Sequence, residues 1–88
     1  MATIYRINEV PHPLDAGRIQ QTQAQKIVGG NVDYIILYDD KIMLVEKDAK
    51  LKNRPFNDMA SMYAQQAVYG NAILCECWQF SHHAKQVQ

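Results

Sequence analysis

Three cations within five residues, Lys50, Lys52 and Arg54, make the segment Lys50-Leu51-Lys52-Asn53-Arg54-Pro55-Phe56-Asn57 the part of the chain best equipped for chemistry. Two ammonium groups and a planar guanidinium suit phosphate or carboxylate oxygens, and Arg can bind such groups through two parallel N–H donors. Pro55 fixes one backbone angle and presses Arg54 toward extended geometry, so the cations sit on a stiffened loop. Asn57 and the amides opening the helix that follows would add neutral donors for an anion. The competing reading is a solvated loop whose cations pair locally with Asp48 or Asp58, because surface ion pairs are common and weak. Aromatic rings could complete such a site. Tyr34, Tyr38, Tyr63, Tyr69 and Trp78 are candidates for stacking on a base or a partner chain, against the alternative of ordinary core and rim packing. Tyr38, at a hairpin tip, and Tyr63, near a short helix, should keep their hydroxyls wet. The candidate binding residues are therefore Lys50, Lys52, Arg54, Asn57, Tyr38 and Tyr63.

Other chemistry-bearing residues are poorly spaced. Cys75, Cys77, His82 and His83 include zinc-ligand types, but Cys-x-Cys followed by adjacent histidines is not a structural-zinc spacing. The two cysteines stand two positions apart on an expected strand, a spacing that would strain a disulfide, and are read as reduced, buried thiols. No oxyanion donor or orienting carboxylate accompanies a Cys/His pair. Asp39-Asp40 reads as a solvated turn before a cation site. Gly29-Gly30 reads as a helix stop before a phosphate loop, since it follows a helix and anions favour helix N-termini. No catalytic residue, metal site or cofactor is expected, and the chain is not expected to be an enzyme.

The elements that must position the loop follow from periodicity. Thr3 to Val10 reads as a strand stopped at Pro11-His12-Pro13, where missing backbone donors end a ladder. Asp15 is placed to cap a helix over Ala16 to Val28, with Ile19, Ala24, Ile27 and Val28 as its apolar stripe and Gly29-Gly30 as its stop. Asn31 to Tyr38 and Lys41 to Glu46 are β-branched and aliphatic runs joined by Asp39-Asp40, an antiparallel hairpin. Asn57 caps a short helix over Asp58 to Gln66, and Asp58 in its first turn complements the helix dipole. After Tyr69-Gly70-Asn71, Ala72 to Phe80 alternates as a last strand. The order β-α-β-β-α-β specifies an α+β fold, a small single-layer antiparallel sheet with two helices, like a split βαβ unit. Residues 1–80 form one domain, and residues 81–88 are a flexible or oligomer-docked tail. Replacing Ile36 or Leu44 by Ala is expected to open a core cavity.

Composition bounds the partners. Eighty-eight residues support one core of marginal stability, so a homo-oligomer is expected. Nine Lys plus Arg balance nine Asp plus Glu, and a net charge of zero provides no field for non-specific nucleic-acid binding. The start Met1-Ala2-Thr3-Ile4-Tyr5-Arg6 lacks the apolar core of a signal peptide, and no run is long enough to cross a bilayer. A cytoplasmic protein without a membrane partner is expected.

Three segments together resemble a known family. Val28-Gly29-Gly30-Asn31-Val32-Asp33, the cationic loop, and Tyr69-Gly70-Asn71-Ala72-Ile73 are similar to small phage and mobile-element proteins grouped as a domain of unknown function. The shared pattern is a Val-Gly-Gly lead-in to a hairpin, a Lys-Leu-Lys-Gly-x-Pro-x-Asn loop, and a hydrophobic strand after a glycine, over roughly residues 17 to 75. Asn53 stands where the pattern has glycine, and Asn also tolerates left-handed geometry. The resemblance brings no catalytic residues. It implies a phage context, hence the host cytoplasm, and stoichiometric binding to a host protein, including a defence protein, as inhibitor or adaptor. The alternative is a sponge for a small anionic, nucleotide-type signalling ligand, completed by a homo-oligomer. Replacing Lys50, Lys52 and Arg54 together by Ala is expected to abolish binding and leave the fold intact.

Overall fold

Side-chain alternation along the two central strands divides the molecule into two cores. In the computed structural model, which describes residues 2–15 and 17–80, β4 (Lys41–Glu46) sends Ile42 and Leu44 to one face of the sheet and Met43 to the other. β5 (Ala72–Glu76) does the same, with Ile73 and Cys75 on the first face and Ala72 and Leu74 on the second. A strand covered on both faces must be apolar at successive positions, which is why both segments read as unbroken hydrophobic runs. α1 (Gln21–Val28) covers the first face through Ala24 and Val28, and α2 (Asp58–Ala64) covers the second through Ala60 and Ala64.

The expected class is the class observed: α+β, with one antiparallel sheet and two helices. β1 (Ala2–Tyr5), β2 (His12–Leu14) and β3 (Val32–Ile36) complete the sheet in the order β2-β1-β5-β4-β3. In a split βαβ unit another strand separates two parallel, helix-linked strands. Here the helix-linked β4 and β5 are direct antiparallel neighbours, with Met43 opposite Leu74.

Several boundaries differ from expectation for local reasons. Pro11-His12-Pro13 does not end the first ladder. The chain turns at Arg6–Glu9, with Asn8 at a φ of 60°, and β2 returns along β1 with Pro13 opposite Thr3. An edge strand tolerates proline because its outer side needs no donors. α1 begins at Gln21, not at Ala16, and Asp15 does not cap it. The chain bends at Gly17 and Arg18 and then bridges to Phe80, because Ile19 is drawn into the core, with its N–H donating to the Gln79 carbonyl at 2.6 Å. β5 ends at Glu76, and Cys77–Gln79 forms a 3₁₀ turn held by the Gln79 side-chain oxygen accepting the Glu76 N–H at 3.0 Å. That turn breaks the alternation, so Cys75 is buried whereas Cys77 is exposed. Burial pushes the Cys75 thiol up to about 12, with Cys77 adding to the rise. Ile36, expected in the core, is 75 % exposed at the end of edge strand β3, whereas Leu44 is fully buried. The tail and the two histidines His82 and His83 lie outside the described residues.

Candidate functional site

Parity along β4 determines where the cationic loop goes. Glu46 shares the face of Ile42 and Leu44, so the last side chain of the strand points under α1, and its carboxylate is completely buried. A buried carboxylate needs cations and hydrogen bonds to offset its lost hydration. Arg54 Nε donates to Glu46 Oε1 at 2.8 Å, and Lys52 Nζ donates to Glu46 Oε2. Arg54 Nη2 also donates to the Gly29 carbonyl at 3.3 Å, at the C-terminus of α1. The Arg54 hydrogen bond holds the Glu46 carboxyl below the usual carboxylate range against the opposing effect of burial, and Lys52 adds to the lowering.

The glycines belong to the same cluster. Gly29 stops α1 with a φ of 98°, as expected of a helix stop, and a Cβ there would lie 3.2 Å from Arg54 Nη2. A Cβ on Gly30 would meet the Glu46 carboxylate and come within 2.9 Å of Lys52 Nζ. Gly70, at a φ of 79°, packs on the Arg54 stem. Within the loop, Lys52 N–H donates to the Asp48 carbonyl and Arg54 N–H to the Ala49 carbonyl, each at 3.0 Å. Asn53 takes a φ of 58°, the left-handed geometry that lets it stand in for glycine.

Asn57 closes the other end of the loop. It caps α2 as expected, with its Oδ1 accepting the Ala60 N–H at 3.1 Å. Its Nδ2 donates to the Tyr5 carbonyl at 2.9 Å and the Gly70 carbonyl at 2.8 Å, tying β1 and the turn before β5 to the loop. Asn57 is buried and all three polar contacts of its amide are internal. Phe56 pairs with Tyr69, ring centroids 5.7 Å apart and edge to face, and Lys50 Nζ lies 5.9 Å from the centroid of the Tyr69 ring.

The three segments distant in sequence thus converge on one buried carboxylate and one capping asparagine. Lys52 and Arg54 pair with Glu46, and neither ion pair joins Asp48 or Asp58. Replacing the three cations together would therefore strand a buried charge, and an intact fold is not the expected result. Lys50 stays exposed. Tyr38 is 69 % exposed at the hairpin tip, where Asp39 and Asp40 hold φ of 60° and 58°, the left-handed pair of a tight hairpin turn. Tyr63 is exposed on α2 with its ring centroid 6.5 Å from that of Tyr5. Tyr38 and Tyr63 do not share a site: the first lies in the β3–β4 turn, and the second on α2. Among the described residues no group of three or more His, Cys, Asp or Glu side chains could hold a metal ion. No helix among them is long and apolar enough to cross a membrane.

A model of a domain of unknown function, DUF3846, matches residues 4–84. The chain belongs to the DUF3846 family. No curated protein and no solved structure matches it. The Val-Gly-Gly, cationic-loop and Tyr-Gly segments of this DUF3846 domain, set apart in sequence, form its internal polar staple.

On the outer face of α2 the sequence singled out Tyr63 alone. Ala60, Ser61 and Ala64 are its buried positions, and Ser61 Oγ accepts the Val68 N–H at 2.8 Å, which fixes the helix rotation. That rotation leaves Met59, Met62 and Tyr63 outside, three and four positions apart on one face. Val10, Pro11, Phe56 and Met59 line a cavity of about 360 Å³ beside the helix start, rimmed by Arg6, Glu9 and Asp58. The signal in the sequence was Met59-x-x-Met62-Tyr63 beside Ala60-x-x-x-Ala64, two stripes of which only the small one can pack closely against a sheet.

Proposed function

We propose that this DUF3846 domain acts by stoichiometric binding to another protein, through the outer face of α2 and the groove beside it. The observation that supports this reading is the exposed run of Met59, Met62 and Tyr63, continuous with Val10 and Phe56. Solvent-facing methionines and aromatics on a short, rigidly capped helix suit an apolar partner surface, because thioethers adapt to irregular contacts and aromatics supply area. The resemblance to small phage proteins supports a host protein, such as a defence component, as the partner, bound in the host cytoplasm as inhibitor or adaptor. Such binding needs no chemistry from the chain.

The test compares baits. Wild type, Met59→Gln/Met62→Gln and Lys50→Ala are matched for fold by circular dichroism and used to retain partners from host extract, with calorimetry on the protein identified. The double variant should lose the partner and Lys50→Ala should keep it. The reverse pattern would move the contact to the loop.

A second reading, sequestration of a nucleotide-type ligand, is favoured by one observation. A cleft of about 290 Å³ between the end of α1 and the loop is lined by Lys26, Arg54, Asn71 and Gly70. Thermal shift with mono-, di- and cyclic nucleotides checks it: a ligand bound to the native state raises Tm in proportion to the logarithm of its concentration over Kd.

A further inference from the structure

The two edges of the sheet are built differently. β2, at one edge, carries Pro13 and follows Pro11, a protection against further pairing. β3, at the other, contains neither proline nor lysine and exposes Ile36 at 75 %. Lys47 N–H donates to the Asn31 carbonyl and Leu37 N–H to the Lys41 carbonyl, so residues 31, 33, 35 and 37 direct their backbone groups to β4. Val32, Tyr34 and Ile36 therefore direct theirs outward. Their side chains lie together on the α1 face, where Tyr34, Ile36, Ile42 and Cys77 border a cavity of about 340 Å³.

We propose that a second copy of this chain adds to the sheet along β3, antiparallel and two-fold symmetric about Tyr34. In that register Val32 of one copy faces Ile36 of the other and Tyr34 faces Tyr34, so the apolar stripe matches itself and the exposed Ile36 is covered at both ends. Asp33 accepts the Tyr34 N–H at 2.8 Å in the single chain and releases it to the partner's carbonyl on pairing.

Charge selects a second copy over an arbitrary strand. The two-fold sets the end of β3 in one copy, followed by the Asp39-Asp40 turn, beside the start of β3 in the other, preceded by Gly29-Gly30. Gly29 and Gly30 adjoin Arg54 and Lys52, and one Glu46 carboxylate faces both of those cations, leaving an excess of positive charge at that corner. The acidic turn of each copy thus meets the basic corner of its mate, and symmetry makes the contact twice. The chain as a whole is neutral, so no net repulsion opposes association. This surface is separate from the α2 face, so failure of either reading leaves the other standing.

Sedimentation velocity across a wide range of concentration, at low and high salt, should show a dimer that weakens as salt rises. Ile36→Lys should give a monomer with an unchanged circular-dichroism spectrum, and Asp39→Asn/Asp40→Asn should weaken the dimer and remove its salt dependence. In a mixture of ¹⁴N- and ¹⁵N-labelled chains, carbodiimide should join Asp39 or Asp40 of one copy to Lys52 or Lys26 of the other. The two groups lie at opposite ends of β3, about 17 Å apart for a five-residue strand, so an internal link is not expected. A monomer at all concentrations, or a dimer that survives Ile36→Lys, would overturn the proposal.

Discussion

Replacing Asn57 by Ala removes three internal hydrogen bonds at once, which makes it a sharp test of the polar staple. Loss of the cap on the Ala60 N–H costs about 1 kcal/mol, with a range of roughly 0.5 to 2. The two Nδ2 bonds contribute about 1 kcal/mol each, and the carbonyl of buried Gly70 loses its side-chain donor, which raises the cost of that one. The sum is about 3 kcal/mol, within a range of roughly 2 to 5. For a domain of this size the corresponding fall in Tm is roughly 12 to 24 °C. Asn57→Ser keeps an oxygen for the cap and loses the two Nδ2 bonds to the Tyr5 and Gly70 carbonyls, so it should lie between wild type and Asn57→Ala. Urea unfolding followed by far-UV circular dichroism gives the midpoints. An Asn57→Ala protein within about 0.5 kcal/mol of wild type would mean that Asn57 does not staple the loop and would return it to the set of residues available for a ligand.

Three further outcomes follow from the same structure. The folded pKa of Glu46 lies below its unfolded value, so its contribution to stability is fully present above the ordinary carboxylate range, about pH 4.3, and is lost as pH falls through the lower folded value. Wild type should therefore lose urea stability more steeply than Glu46→Gln between about pH 5 and 3, and equal slopes would contradict the pairing. Leu44→Ala should cost about 2 to 5 kcal/mol by opening a cavity, whereas Ile36→Ala in the monomer should stay within about 0.5 kcal/mol. At pH 8 one thiol, Cys77, should react with iodoacetamide in the native protein, and Cys75 only after unfolding, read by mass spectrometry of the peptides.

Much of the fold was legible because local signals were unambiguous. The β3–β4 hairpin shows in two apolar runs around Asp39-Asp40, and α2 shows in its Asn57 cap and Asp58. What escaped were features decided by distant partners. Ile19 leaves its helical pattern because Phe80, far along the chain, offers a buried neighbour. His12–Leu14 pairs because an edge strand can carry proline. The cationic loop was legible as a cluster of charge, but its use was not. Glu46 looked like an ordinary strand terminus, although its even spacing from Ile42 and Leu44 placed it on the buried face, beside two glycines that leave room for it. Met59 and Met62 lie outside because the small Ala60 and Ala64 side chains take the sheet.

Partner binding is proposed for the outer face of α2 and not for the cationic loop. A photo-reactive p-benzoylphenylalanine placed at Met62 in one preparation and at Lys50 in another, each irradiated in host extract, distinguishes the two surfaces. A discrete covalent adduct is expected from position 62, competed by excess unlabelled wild type, and none from position 50. An adduct from position 50 alone would contradict the proposal.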